Sequence, residues 1–272
     1  MSQQVSFKTF SGSAAENYER YFVPVIPVPL AADLMQTAAL RTGEHVVDVA
    51  CGTGVVARMA ADRVGPTGRV VGVDLNPGML EVASSLPSPP AAAIEWRQGS
   101  VEALPLPDES FDFVLCQLGL MFVGDRAAAL RQMYRVLSSG GRVAITVPGP
   151  IPRLFEIFAD ALARHIGADV SRFMRLVFSL SDADELDRLM RDAGFREVGV
   201  DVITKTLRLP PPTSFLWQYV HSTPFGAIIA NVDQATRDEL EADVEDGWQP
   251  FVADGALMLH LPVLMATGQR WP

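Results

Sequence analysis

The chain is short of cysteine, short of basic charge and without long apolar runs, and each shortage excludes something. Two cysteines in 272 residues, Cys51 and Cys116, build no disulfide framework, so a reducing cytoplasmic setting is expected. A formal net charge of −10 argues against general binding to nucleic-acid phosphates, which needs a basic surface. Every apolar stretch is broken well short of the ~20 residues that span a bilayer. The N-terminal MSQQVSFKTFSGSAAENYERYF lacks the basic start and apolar run of a secretory signal. Internal repeats, low-complexity tracts and metal-ligand spacings are also missing. What remains is a chain with 49% hydrophobic residues, enough for a substantial core.

After residue 40, strand-like and helix-like patterns alternate. HVVDVA (45–50), RVVGVD (69–74), AIEWRQ (93–98), FDFVLCQ (111–117) and RVAITVP (142–148) read as strands. Helices are expected at VVARMAADRV (55–64), from Pro77 through GMLEVASSL, and at AAALRQMYRVL (127–137), stopped by SSGG. Such alternation implies parallel pairing in an α/β, doubly wound sheet. Beyond Pro150 come helical, aromatic-rich stretches at 151–178, a serine-capped helix at 181–195, and a strand at 198–209 closed by three prolines. Residues 213–250 again read as helical, and 256–270 as a last strand. The organisation expected is one domain: an N-terminal cap over 1–40, a ligand-binding core over 41–150, and helical covers at 151–178 and 213–250. Open α/β sheets bind ligands at the strand ends that such covers would close.

The glycine turn between the first strand and helix is the most informative stretch. Gly52-Thr53-Gly54-Val55-Val56-Ala57 matches the relaxed dinucleotide pattern G-x-G-x-x-G/A, so an NAD(P)-dependent oxidoreductase is one reading. Asp48, four residues before Gly52, points elsewhere. A carboxylate at that strand end sits badly beside a pyrophosphate and well beside a cationic amino group. S-adenosylmethionine (SAM) carries such a group and no phosphate.

Asp48-Val49-Ala50-Cys51-Gly52-Thr53-Gly54 resembles the first motif of class I SAM-dependent methyltransferases, D/E-x-G-x-G-x-G, with Ala50 in place of the first glycine. VVGVDLNPGML (70–80) resembles the second-strand motif, QGSVEALPLPDESFDFVLC (98–116) the third and fourth, RVLSSGGRVAIT (135–146) the turn before the fifth strand, and LMRDAGF (189–195) the helix end before the sixth. The set covers roughly residues 40–210 in order, and is most similar to the ubiquinone/menaquinone-biosynthesis type. The resemblance implies a Rossmann-like, mostly parallel seven-stranded sheet with helical cover insertions, and SAM as cofactor. By the same match, Asp48 would serve the amino group; Ala50, Cys51, Gly52 and Gly54 would let the backbone approach the methionine part; and Asp74 would take the ribose hydroxyls. Leu75 would pack on the adenine, with Met79 also in contact. Ser100 stands where an aspartate commonly faces the adenine amino group, and Val101 would offer its N–H to the ring. SAAENYERYFVP (13–24) resembles the family's cap over the cofactor, with Tyr18 and Tyr21 as contacts. Asp112 is carried by the motif as a structural residue.

Methyl transfer from a sulfonium is an in-line displacement in which orientation and water exclusion supply much of the acceleration. A thiolate, amine or enolate acceptor needs little further help, whereas a phenol or alcohol wants a general base. No catalytic dyad is evident. Among the histidines, His221 in FLWQYVHSTPF is the candidate base; His45 reads as structural, His165 as part of an amphipathic helix, and His260 as packing or solvent-facing. Gln117 ends the fourth strand beside the expected methyl position, so it is a candidate contact to SAM or the acceptor. Cys51 and Cys116 read as small buried side chains. No Asn/Asp-Pro-Pro-Tyr/Phe sequence of the DNA amino-methylating enzymes occurs. A small apolar or aromatic acceptor is therefore expected, with no nucleic-acid or membrane partner; a homodimer and a non-catalytic SAM-binding protein stay open.

Overall fold

The computed structural model describes residues 13–87 and 91–271; residues 1–12 of the expected cap lie outside these. Five parallel strands form the centre: β1 (His45–Val49), β2 (Arg69–Asp74), β3 (Ile94–Gln98), β4 (Phe111–Gln117) and β5 (Leu137–Pro148). Three more complete the sheet: β6 (Arg196–Leu209), β7 (Val252–Ala253) and β8 (Ala256–Gln269). The order is β3-β2-β1-β4-β5-β8-β6, with β8 antiparallel to both its neighbours. The seven expected strands make this path. The extra strand, β7, forms a hairpin with β8 across Asp254-Gly255, whose φ values of 48° and 71° suit the two-residue turn that Asp-Gly favours.

Both faces of the central strands β1, β2, β4 and β5 are covered, so these alternate between two apolar environments, whereas the edge strand β6 keeps one face largely exposed. In β4, Phe113 and Leu115 pack with α2 (Pro27–Ala38) and α3 (Val55–Val64), and Val114 and Cys116 pack with α5 (Arg126–Val136) and α8 (Ala183–Asp192). A third apolar cluster joins α6 (Arg153–His165), α7 (Ala168–Val177), α9 (Pro212–His221), α10 (Phe225–Ile229) and α11 (Gln234–Trp248) to the ends of β6 and β8. Its centre is aromatic: Phe158 lies edge-on to Tyr219, Phe225 and Trp248, with ring centroids 5.9–6.0 Å apart. The described N-terminal segment is a short helix α1 (Ser13–Asn17) running into a π-helix (Tyr18–Phe22), and then α2.

Several element boundaries shift by a few residues from those expected, and two of the shifts have a clear local cause. The strand after α5 begins at Leu137, because Leu137 pairs with Phe111 across a register shift and Gly140, at φ 78°, carries the chain through the bend. The cap of α8 is Asp182, not Ser181: its carboxylate accepts the N–H groups of Asp184 and Glu185.

Candidate active site

Two adjoining hollows lie at the carboxyl ends of β1, β2 and β4, where the strand order reverses between β1 and β4. The larger, about 230 Å³, runs from Asp74, Leu75, Met79, Ser100 and Val101 to an apolar end at Phe22, Phe155 and Phe178. The smaller, about 50 Å³, is bounded by Asp48, Thr53 and Gln117. Tyr18, Ala50, Gly52 and Leu118 line both.

The chain is bent into place here by backbone that L-residues adopt at some cost. Ala50 has φ 57° and Leu118 φ 54°, beside Gly52 at 54° and Gly54 at 84°. Asp74 closes the turn: one carboxylate oxygen accepts the Gly52 N–H at 2.8 Å and the other the Asn76 N–H at 2.8 Å. Burial pushes the Asp74 carboxyl up in pKa, and these two N–H groups pull it back. Asn76 caps α4 (Pro77–Ser85) by accepting the Gly78 and Met79 N–H groups, which sets Met79 against the cavity.

Asp48 is 1% exposed, and neither of its oxygens has a partner within hydrogen-bonding distance and angle. Burial above all, and then the Asp74 carboxylate, push its pKa up to about 8, against the pull of the Ala57 N–H, which points to it outside that geometry, and of Arg58. Thr53 Oγ1 and Gln117 Oε1 are likewise buried without partners. All three residues line the smaller hollow, which therefore suits hydrogen-bond donors and favours a cation. Arg58 donates to the Thr53 carbonyl at 2.7 Å and pairs with Glu19 at 3.4 Å, so it ties the glycine turn to the N-terminal segment. Burial also raises the thiols: Cys51 goes well above its ordinary value, with Asp48 and Asp74 adding to the effect, and Cys116 goes up to about 12.

Asp48, Ala50, Cys51, Gly52, Asp74, Leu75, Met79, Ser100, Val101 and Gln117 are thus brought to the two hollows. The Ser100 hydroxyl already accepts the Glu102 N–H at 3.2 Å. Three expected residues are not brought there. Gly54 lines neither hollow; an ideal Cβ on it would lie 2.2 Å from the Trp96 ring, so its bareness makes room for that indole. Tyr21 is also outside, with the Arg20 guanidinium 5.1 Å from its ring centroid. The wider turn of the π-helix puts Tyr18 and Phe22, four residues apart, on the cavity side, so of the two tyrosines expected there Tyr18 reaches the cavity and Tyr21 does not. Burial, Asp74 and Glu19 raise the Tyr18 phenol, which stays protonated.

His221, the expected base, faces solvent at the end of α9. Helical period puts it on one stripe with Trp217, over which it stacks, whereas Tyr219 and Thr223 turn inward to the cavity. None of the four histidines borders either hollow. His165 is held by Asp243 and Glu239, and His260 meets Thr206. Asp112 accepts the His45 N–H at 2.8 Å, at the opposite end of the strands. Thr53 was not among the expected site residues, because a threonine inside a glycine motif gives no sign that its hydroxyl lacks a partner.

A methyltransferase-domain family model matches residues 47–145. The ubiquinone/menaquinone biosynthesis C-methyltransferase UbiE of Escherichia coli K12 is 33% identical over 175 residues, 59% of this chain and 70% of that one. The chain belongs to the class I SAM-dependent methyltransferases. Solved methyltransferase-fold structures agree with its architecture. The YcgJ protein of Bacillus subtilis is 20% identical with a TM-score of 0.57, over 89% of this chain and 98% of that one. Haemonchus contortus phosphoethanolamine N-methyltransferase 2, in complex with SAM, is 18% identical with a TM-score of 0.56, over 90% of this chain and 53% of that one.

The side chains present suit SAM. A methyltransferase of this class holds a ligand with two positive centres, the sulfonium and the ammonium, and here two carboxylates flank the turn, Asp48 buried and Asp74 half-buried. A pyrophosphate would meet the same carboxylates as repulsion, which leaves the oxidoreductase reading without support.

Proposed function

We propose that this methyltransferase acts on a small, neutral, apolar or aromatic metabolite that brings its own nucleophile. Asp48 and Gln117 receive the amino group of SAM, Asp74 the ribose hydroxyls, and Leu75, Met79, Ser100 and Val101 the adenine. SAM supplies a methyl group already activated on a sulfonium. The chain's task is to orient the acceptor in line with it and to exclude water. The observation that carries the reading is the far wall of the larger hollow: Phe22, Ile26, Phe122, Phe155, Phe178 and Leu261 face it, and no histidine does. An apolar wall favours an uncharged acceptor, and the lack of a nearby imidazole favours one that needs no protein base. The C-methyltransferase activity named for the E. coli relative favours an enolate-like carbon among the nucleophiles. On this reading, residues 151–178 and 213–250 are covers over the acceptor end, the N-terminal segment covers SAM, and the enzyme works in the cytoplasm.

Calorimetry with SAM and S-adenosylhomocysteine tests the cofactor assignment. Asp74→Ala is expected to lower affinity by roughly two orders of magnitude, since it removes charge-assisted bonds from both ligand and turn. Unchanged affinity overturns the assignment. Turnover of labelled SAM against a panel of apolar and charged metabolites tests the acceptor class; methylation confined to charged acceptors overturns it.

A further inference from the structure

Gln117 joins two parts of the molecule with the two ends of one amide. Its nitrogen donates to the Pro27 carbonyl at 3.0 Å, at the first residue of α2. Its oxygen is buried at the smaller hollow with no partner. The amide orientation is settled by chemistry: a carbonyl only accepts, so the NH₂ end must face Pro27, which leaves the buried oxygen as the end without a partner. Pro27 itself borders that hollow, and the residue before it, Ile26, lines the apolar end of the larger one, as does Phe22.

We propose that Gln117 is a positioning residue that couples occupancy of the amino-group pocket to closure of the N-terminal segment over the acceptor cavity. The proposal rests on the SAM assignment made above. An ammonium N–H donated to Gln117 Oε1 satisfies a buried acceptor and polarises the amide. That strengthens the Nε2–H···O=C bond to Pro27, because hydrogen bonds in a chain reinforce one another. It also fixes the side chain against rotation, so α2 and the Ile26 wall are held where the acceptor must dock. Thermodynamic reciprocity then requires that an acceptor seated against this wall tightens binding of the donor's amino-acid end. A ligand with the adenosine and thioether but no amino-acid end fills the larger hollow, where it meets Tyr18, Phe22 and Ile26, without touching Gln117, and so leaves the bond to Pro27 and α2 unreinforced.

Hydrogen exchange over α2, Pro27–Ala38, which does not line the larger hollow, read on the full chain, tests this. Saturating S-adenosylhomocysteine is expected to slow exchange there at least tenfold, while saturating 5′-methylthioadenosine leaves it within twofold of the free protein. Gln117→Glu keeps an oxygen for the ammonium and loses the donor to Pro27. It is expected to bind S-adenosylhomocysteine and show no extra protection of the segment. Equal protection by the two ligands in the parent protein, or full protection in Gln117→Glu, overturns the coupling. If Gln117→Glu does not fold, the comparison of the two ligands still decides. Absence of any S-adenosylhomocysteine binding to the parent protein overturns the SAM site itself, a different outcome from binding without protection.

Discussion

The methyl of Ala50 occupies the space that a side chain on Gly119 would need. An ideal Cβ on Gly119 lies 2.5 Å from Ala50 Cβ, and Ala50 holds this position with a left-handed φ of 57°. The alanine standing where the family motif has glycine is thus matched by a glycine in the loop after β4. Gly119→Ala is expected to cost about 1–3 kcal/mol through overpacking. Ala50→Gly should stay within about 1 kcal/mol of the parent, since relief of the left-handed alanine offsets the added freedom of the unfolded chain. In the Ala50→Gly background, Gly119→Ala should lose much of its cost. Urea unfolding of the four proteins measures the coupling, and an undiminished cost in that background would rule the contact out.

Asp48 makes both stability and cofactor binding depend on pH. Its folded pKa of about 8 lies above the unfolded value, so the folded state holds a proton that the unfolded chain gives up earlier. Stability of the ligand-free enzyme should therefore fall as pH rises from about 4 to about 8, by several kcal/mol at most, and this group adds no further loss above that. Binding of a cationic amino group favours the ionised carboxylate, so affinity for S-adenosylhomocysteine should rise over the upper part of the same range. Close to one proton should be released per site near pH 6.5. Calorimetry in buffers of different ionisation enthalpy counts that proton, and Asp48→Asn should abolish its release while weakening binding.

Gly54→Ala should fail for a reason of packing, not of ligand approach. The added methyl meets the Trp96 indole at 2.2 Å in a residue with φ 84°. A loss of about 2 kcal/mol or more is expected, with a fall of several degrees in Tm. Shortening the neighbour in Gly54→Ala/Trp96→Leu should recover part of it. A variant that kept its Tm and lost only SAM affinity would return Gly54 to the ligand site.

His221→Ala should leave S-adenosylhomocysteine affinity and turnover within about twofold of the parent, as expected for a surface substitution. The imidazole touches Trp217 on the outer side of α9 and borders neither hollow. A large fall in kcat with unchanged Tm would place a base where the structure has none.

Much of the fold was legible because its signals are local. The β-branched runs, the Pro77 start and the alternation of strand with helix fix α3, β2 and β4 at the expected bounds. The order of Asp48, Asp74, Ser100 and Gln117 along successive strands was also enough to gather them, since parallel strands deliver their carboxyl ends to one edge. Which residues face a hollow is a different matter, because it depends on partners far away in the chain. Gly54 and Trp96 explain each other only once β3 lies beside β2. Tyr18 stays in the site and Tyr21 leaves it because one π-turn rotates the segment, and His221 leaves the site because the inward face of α9 belongs to Phe215 and Tyr219. Sequence determined the chemistry on offer at the strand ends: two carboxylates, a bare turn and an amide. Only tertiary packing decided which oxygens were left buried without donors, and those vacant acceptors are what a cationic ligand is suited to fill.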